Sequence, residues 1–210
     1  MKLFIPIIII VMINALSAQS VEDIVEEIQD RYENMKYFSA DFTQVEKFNL
    51  TGTENKTRGK IFVRDGVKYR LETDDRTIVT DGTTVWTWSV FNNQVLIDRA
   101  KKDDGAMLPR DLLFKYPREY YAALLDEVTY NGRDHYLLKL DPKEDTHGYI
   151  KTMKIWVDTD SYLISKIEYT DLNDNTSAFE INKINTKKEL PDALFTFTPP
   201  QGSEVIDLRM

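Results

Sequence analysis

Apolar residues recur along this chain at two different periods. Val21, Ile24, Val25, Ile28, Tyr32 and Met35 fall at three- and four-residue spacing, with Glu22, Glu26, Glu27, Asp30 and Arg31 between them. That spacing predicts an amphipathic helix whose apolar stripe must lie on something apolar. Ser20 is placed to cap it, and Asp23 three residues on completes a capping-box start.

From Phe38 to about Ile97 the period becomes two. Phe38, Ala40 and Phe42 alternate with Ser39, Asp41 and Thr43. Residues 60–64 and 67–72 flank Asp65-Gly66, and residues 77–80 and 85–88 flank Asp81-Gly82. An Asp-Gly pair between alternating apolar runs is a strong hairpin signal, because both residues tolerate positive φ. Asn92-Asn93 then leads into residues 94–97, which extends an antiparallel meander.

Residues 100–106 read as a polar loop. Pro109 to about Leu125 reads as a helix interrupted by Pro117, rich in leucine and tyrosine. A second strand series follows: residues 127–130 and 135–140 around Asn131-Gly132, then 149–157, 162–169 and 177–184. The last strand is expected at Phe195–Thr198, ended by Pro199-Pro200, which lack backbone donors. About eleven strands in hairpin order, with helices at the start and the middle, predict a mainly β fold. The expected form is an unclosed antiparallel β-barrel whose helices plug the concave face as a lid. A barrel this wide is not filled by its own side chains alone.

The ends bear on where such a barrel works. Lys2, an apolar run from Leu3 to Ile13 and the small-residue exit Asn14–Ala18 have the form of a secretory signal. Cleavage is expected after Ala18, with Ser20 as the alternative, which leaves 19–210 as a single exported domain. The apolar run is shorter than the about 20 residues a spanning helix needs.

Composition narrows the chemistry. The 210 residues contain no cysteine, so disulfides, thiolate nucleophiles and cysteine metal sites are excluded. The formal net charge is −8, which disfavours nucleic acid and passive adsorption to an anionic membrane. The only histidines, His135 and His147, lack ligand spacing, and no nucleotide-loop, hydrolase or zinc motif occurs. Asp74-Asp75 and Asp103-Asp104 sit in loops without calcium-ligand order. No catalytic residue, metal ligand or cofactor is expected.

What the chain has in excess is large apolar side chains. Phe42, Phe62, Tyr69, Leu71, Trp86 and Trp88 come from the first strand series, and Leu112 and Leu113 from the expected central helix. Most apolar periodic positions simply pack. The functional reading is that part of this surface lines an apolar pocket for acyl chains.

Five motifs carry a family resemblance, in the family's order. They are Phe38-Ser39-Ala40-Asp41-Phe42-Thr43-Gln44, Gly59-Lys60-Ile61-Phe62-Val63, Asp81-Gly82-Thr83-Thr84-Val85-Trp86, Asn93-Gln94-Val95 and Phe195-Thr196-Phe197-Thr198-Pro199-Pro200-Gln201-Gly202. Over roughly residues 20–208 the chain resembles the LolA family of periplasmic outer-membrane lipoprotein carriers. The resemblance implies a chaperone that binds acylated lipoproteins in its cavity, and a monomer suits such a shuttle. It implies loading by an inner-membrane LolCDE-type ABC transporter and delivery to a LolB-type receptor or directly to the outer membrane. Members of the family often carry an arginine followed by a proline after the second strand, and that arginine holds the lid shut. Here Asp65 and Gly66 fall in those slots, so either a bulge re-aims Arg64, Arg70 takes over as the latch, or this chain latches differently. Tyr69 falls in the family's aromatic slot and Leu71 in its tryptophan slot.

A carrier answers an energetic problem. Water exposure of an acyl chain costs about 0.8 kcal/mol per CH2, on the order of 12 kcal/mol for about sixteen carbons. The alternative is an RseB-like envelope-stress sensor or another periplasmic lipid-binding protein on the same open barrel. RseB-type proteins add a C-terminal domain, and the short length here favours the carrier.

Overall fold

The structure, a computed structural model, describes residues 19–100, 120–143 and 149–209. Helix α1 (Val21–Glu33) starts the described chain. The strands are β1 (Tyr37–Lys47), β2 (Glu54–Arg64), β3 (Lys68–Thr73), β4 (Arg76–Thr80), β5 (Thr84–Ser89), β6 (Gln94–Arg99), β7 (Tyr120–Tyr130), β8 (Arg133–Pro142), β9 (Ile150–Asp158), β10 (Ile164–Asp171), β11 (Thr176–Asn185) and β12 (Glu204–Asp207). They form one twelve-stranded sheet in the order β12-β6-β5-β4-β3-β2-β1-β11-β10-β9-β8-β7. The end strands β12 and β7 are not paired to each other, so the barrel is unclosed, as the pattern predicts.

Local chemistry sets the hairpins. Asp65 and Gly66 take φ of 52° and 67°, and Asn131 and Gly132 take 52° and 77°. Two consecutive positive values give the turn whose twist matches the flanking strands. Curling comes from irregular register. β1 slips against β11 between Ser39 and Asp41, β9 against β10 at Ile164/Lys166, and β7 against β8 at Leu124/Asp126. Each extra residue bends its strand and adds twist.

The α1 cap forms as the sequence predicts. The Ser20 hydroxyl accepts from the Asp23 N–H at 3.1 Å, and the Asp23 carboxylate accepts from the Ser20 N–H at 3.2 Å. Ile24, Ile28 and Tyr32 are its buried stripe. They join a core with Phe38, Phe42, Ile61, Val63, Leu138, Met153, Ile155 and Phe179, all on the sheet face that carries the helix.

Two expectations are corrected. The helix expected from Pro109 to about Leu125 does not reach its end, because the chain is already in β7 from Tyr120. Residues 109–119, with Leu112 and Leu113, lie outside the described residues, as do the signal segment 1–18 and His147. The strand expected at Phe195–Thr198 is instead a 3-10 turn, Asp192–Phe195, followed by irregular chain. The true last strand, β12, comes after Pro199-Pro200 and pairs parallel with β6. Phe195 and Phe197 are therefore anchors of a crossing segment, not rungs of a ladder.

Candidate functional site

Cross-strand partners share a face of a sheet, so the registers sort the expected site residues. Val63, Tyr69, Thr80 and Val85 form one row, and Ile61, Leu71, Ile78, Thr87 and Leu96 the next. Both rows lie on the inner face, the one that carries α1. Phe42 belongs there too. It is buried, its ring lies 6.2 Å from that of Phe179, and it crosses over Gly59. A Cβ at Gly59 would stand 2.5 Å from the Phe42 Cζ and 2.4 Å from the Glu72 carbonyl oxygen. Only glycine leaves room for that ring.

Helix α1 covers this face unevenly. The Tyr32 hydroxyl accepts the Ile164 N–H at 3.0 Å, and the Gln19 carbonyl accepts from the hydroxyls of Tyr136 and Tyr162 at 3.1 and 3.2 Å. These bonds pin the helix over the β8–β10 side. Burial pushes the Tyr32 phenol well above its ordinary pKa, against the lowering by the Ile164 N–H and Arg31. On the opposite flank the inner positions Val85, Thr87 and Leu96 are only half-buried. Tyr69, Leu71 and Ile78 lead up to them as a buried apolar floor. The sheet thus offers an apolar surface at β3–β6 that the described helix leaves partly uncovered.

The other half of the expected set lies on the outer face. Phe62 pairs with Arg70, Arg70 with Val79, Val79 with Trp86, and Trp88 with Val95. A one-residue step on a strand reverses the face. Phe62, Trp86, Trp88, Arg64 and Arg70 therefore do not share a wall with Phe42, Tyr69 and Leu71. The expected set is thus divided between the two faces of the sheet.

The outer face has its own cover, the segment from Leu190 to β12. Arg64 donates to the Leu190 carbonyl at 3.0 Å, ion-pairs with Asp192 and stands 5.0 Å from the Phe195 ring centre. Arg70 bonds Glu72 at 2.6 Å and reaches the Leu194 carbonyl at 3.5 Å. Phe197 packs on Trp88 with ring centres 6.5 Å apart. Val79, Val95, Leu190 and Phe195 are buried but stand outside the helix-side core. The two arginines expected to latch a lid thus hold a C-terminal strap. Sequence reasoning missed Leu190 and the strap because nothing local marks which distant strand it crosses.

Among the described residues the remaining features fit packing or solvation. A groove of about 750 Å3 at β11-β1-β2-β3 is lined by Phe42 and Gly59 together with the charged side chains of Asp41, Arg58, Lys60, Glu72 and Lys183. His135 is buried with Nδ1 2.9 Å from the Arg133 carbonyl and Nε2 2.9 Å from the Ser165 hydroxyl. No group of three or more His, Asp or Glu among the described residues could hold a metal.

Comparison with known proteins adds to this geometry. The model of the family described as outer membrane lipoprotein carrier protein LolA matches residues 33–198. An uncharacterized protein of Methanocaldococcus jannaschii is 27% identical over 188 residues, 88% of this chain and 53% of that protein, so the chain spans about half of that relative. An outer-membrane lipoprotein carrier protein of Glaesserella parasuis is 28% identical over 188 residues, 88% of this chain and 86% of that protein. Among solved structures, an uncharacterized conserved protein from Thermus thermophilus superposes with a TM-score of 0.61 at 12% identity, covering 90% of this chain and 99% of that one. At that identity the likeness shows the fold alone.

Proposed function

The chain belongs to the LolA family, and from that premise we propose that it is a periplasmic carrier of lipoproteins. It takes up acyl chains against its inner face, shields them from water and moves them between the inner and outer membranes. The observation that carries this reading is the pair of half-buried apolar positions Val85 and Leu96, which continue the buried floor of Leu71 and Ile78 at β3–β6. An acyl chain laid there trades contact with water for contact with apolar side chains, at about 0.8 kcal/mol per CH2. No covalent step is needed. Loading comes from an inner-membrane LolCDE-type transporter, and release goes to a site that holds the lipid more tightly, a LolB-type receptor or the outer membrane itself.

A release assay tests the reading. The chain from Gln19 is added to spheroplasts that make a tagged outer-membrane lipoprotein. The expected result is a soluble 1:1 complex. The inner-face variant Leu96→Asp should abolish it while remaining folded, because a carboxylate in the acyl path is costly to desolvate. The outer-face variant Phe62→Ser should leave it intact. Retention of the lipoprotein in the membrane, while an authentic carrier of the same organism releases it, overturns the carrier reading. Loss with Phe62→Ser but not with Leu96→Asp overturns the inner-face assignment.

A further inference from the structure

In an antiparallel meander successive turns alternate between the two ends of the barrel. The β1–β2 turn (residues 48–53), the β3–β4 turn (74–75), the β5–β6 turn (90–93), the β10–β11 turn (172–175) and the start of β9 all fall on one rim. That rim collects the protruding apolar side chains. Leu50 is 97% exposed, Phe91 95% and Leu172 66%, with Phe48 and Tyr149 beside them also exposed.

These tips are held, not frayed. The Phe48 carbonyl accepts from the Gly52 N–H at 2.8 Å, and Gly52 takes φ of 65° to close the turn. Asn49 N–H donates to the Asn175 side chain at 3.0 Å, and Leu172 N–H donates to the Tyr149 carbonyl at 2.9 Å, so three chain segments are tied together. Asp171 braces the β10–β11 turn from inside by accepting the N–H groups of Asn173 and Asn175 at 2.8 and 2.9 Å. Two or three unneeded apolar tips would normally be selected for solubility as polar residues. Here rigid turns present them outward.

Charge identifies the occupant. The chain is 30% charged, yet residues 48–53 and 90–93 contain no ionisable side chain. The single charge of 172–175, Asp174, is neutralised by Lys151 at 2.8 Å. The neighbouring β3–β4 turn carries Asp74 and Asp75, with Arg76 3.7 Å from Asp75. Among the described residues the rim is thus apolar at its points, and the charges around them pair off as Lys47–Glu54, Arg76–Asp75 and Lys151–Asp174, with Asp74 beside them. A protein partner of ordinary affinity covers a contiguous patch of about 800 Å2 per side. With β3 and β4 between the β5–β6 turn and the β1–β2 turn, Phe91 does not join Leu50 and Leu172 in one such patch. A fluid bilayer interface takes separate points, and its lack of net charge suits the aspartates.

We propose that the rim of Phe48, Leu50, Phe91, Tyr149 and Leu172 docks on a zwitterionic lipid surface. The inference deepens the carrier reading by naming the surface the carrier meets, but its test needs no cargo. The chain from Gln19, which is the start of the described fold and lacks the apolar N-terminal run, is floated with phosphatidylcholine vesicles. The unsubstituted chain should rise with the vesicles, and added phosphatidylglycerol should weaken this because of the rim aspartates. Leu50→Asp with Leu172→Asp should lose vesicle binding by about tenfold or more. Val67→Asp, at an exposed apolar position on the opposite rim, should keep it. Near-ultraviolet circular dichroism and binding of a fluorescent acyl probe should be unchanged in the double variant, which separates failure of docking from failure of the carrier reading. The proposal is overturned if the unsubstituted chain stays in the soluble fraction, or if Val67→Asp loses as much as the double variant. It is also overturned if the double variant instead dissolves a dimer seen by sedimentation, or if only vesicles bearing inner-membrane proteins are bound.

Discussion

The guanidinium of Arg64 lies 5.0 Å from the centre of the Phe195 ring, across 131 positions of sequence, on the sheet face that α1 does not touch. The same side chain donates to the Leu190 carbonyl and pairs with Asp192. One residue at the end of β2 therefore fastens the C-terminal strap by stacking, a hydrogen bond and an ion pair. A planar fork can do all three at once, and an ammonium cannot.

Arg64→Ala should loosen the strap and lower the melting temperature. Arg64→Lys should recover little, since neither the stacking nor the fork geometry is restored. Asp192→Ala should cost much less, because that carboxylate is largely exposed and its bond to Arg64 is screened by water. Trp88 reports the event, as its ring packs on Phe197 of the strap. Its fluorescence should shift to the red in Arg64→Ala. A melting temperature and emission spectrum equal to those of the unsubstituted chain would refute the strap as a fastened element.

Gly59→Ala should destabilise the sheet by about 1–3 kcal/mol, the usual cost of overpacking, measured by urea unfolding. The added methyl would meet both the Phe42 ring and the Glu72 carbonyl oxygen. Adding Phe42→Leu should recover only part of the loss, because the carbonyl belongs to the neighbouring strand and does not retract. Full recovery would show that the ring alone excludes a side chain at 59.

Tyr32→Phe should cost about 1–3 kcal/mol, although it removes a single oxygen. That oxygen accepts the buried Ile164 N–H, and nothing replaces it in the phenylalanine. The cost should come with faster hydrogen exchange at Ile164, since its amide loses its acceptor. An unchanged unfolding midpoint would mean that another acceptor reaches Ile164.

Legibility in the sequence followed the range of the interaction. The hairpins were readable because Asp65-Gly66 and Asn131-Gly132 determine their own φ values. The α1 cap was readable because Ser20 and Asp23 are three residues apart. Parity within a strand was readable too: Phe62 must oppose Ile61 and Val63. Which parity faces the helix was not, because it depends on cross-strand register and on what covers each face. β4 shows why. Thr77, Ile78, Val79 and Thr80 are all buried, since the helix-side core covers one face and the strap the other. A strand buried on both faces has no alternation to read. For the same reason the sequence leaves open which face Trp86 and Trp88 take; both stand on the outer face, where Trp88 meets Phe197 of the strap. β12 escaped notice because four residues pairing parallel with a strand about 110 positions earlier leave no local signal.

The acid limb of stability should depend on Asp158. This carboxylate is buried, which by itself raises its pKa, but the Ser161 hydroxyl and N–H and the Arg133 guanidinium outweigh burial and hold it below the ordinary value. The Ser161 bonds are 2.7 and 2.9 Å, and Arg133 stands at 3.5 Å. A carboxyl whose folded pKa is depressed adds stability that is fully present above its unfolded pKa of about 3.9 and is lost as pH falls through the lower folded value. Asp158→Asn removes that contribution and leaves the Ser161 donors with a weaker acceptor. The variant should be less stable than the unsubstituted chain at pH 7, and the gap should narrow as pH drops below about 4. Urea midpoints taken from pH 7 to pH 3 check it. A gap that stays constant across that range would mean that Asp158 acts there only through packing, and that the acid limb belongs to other carboxylates.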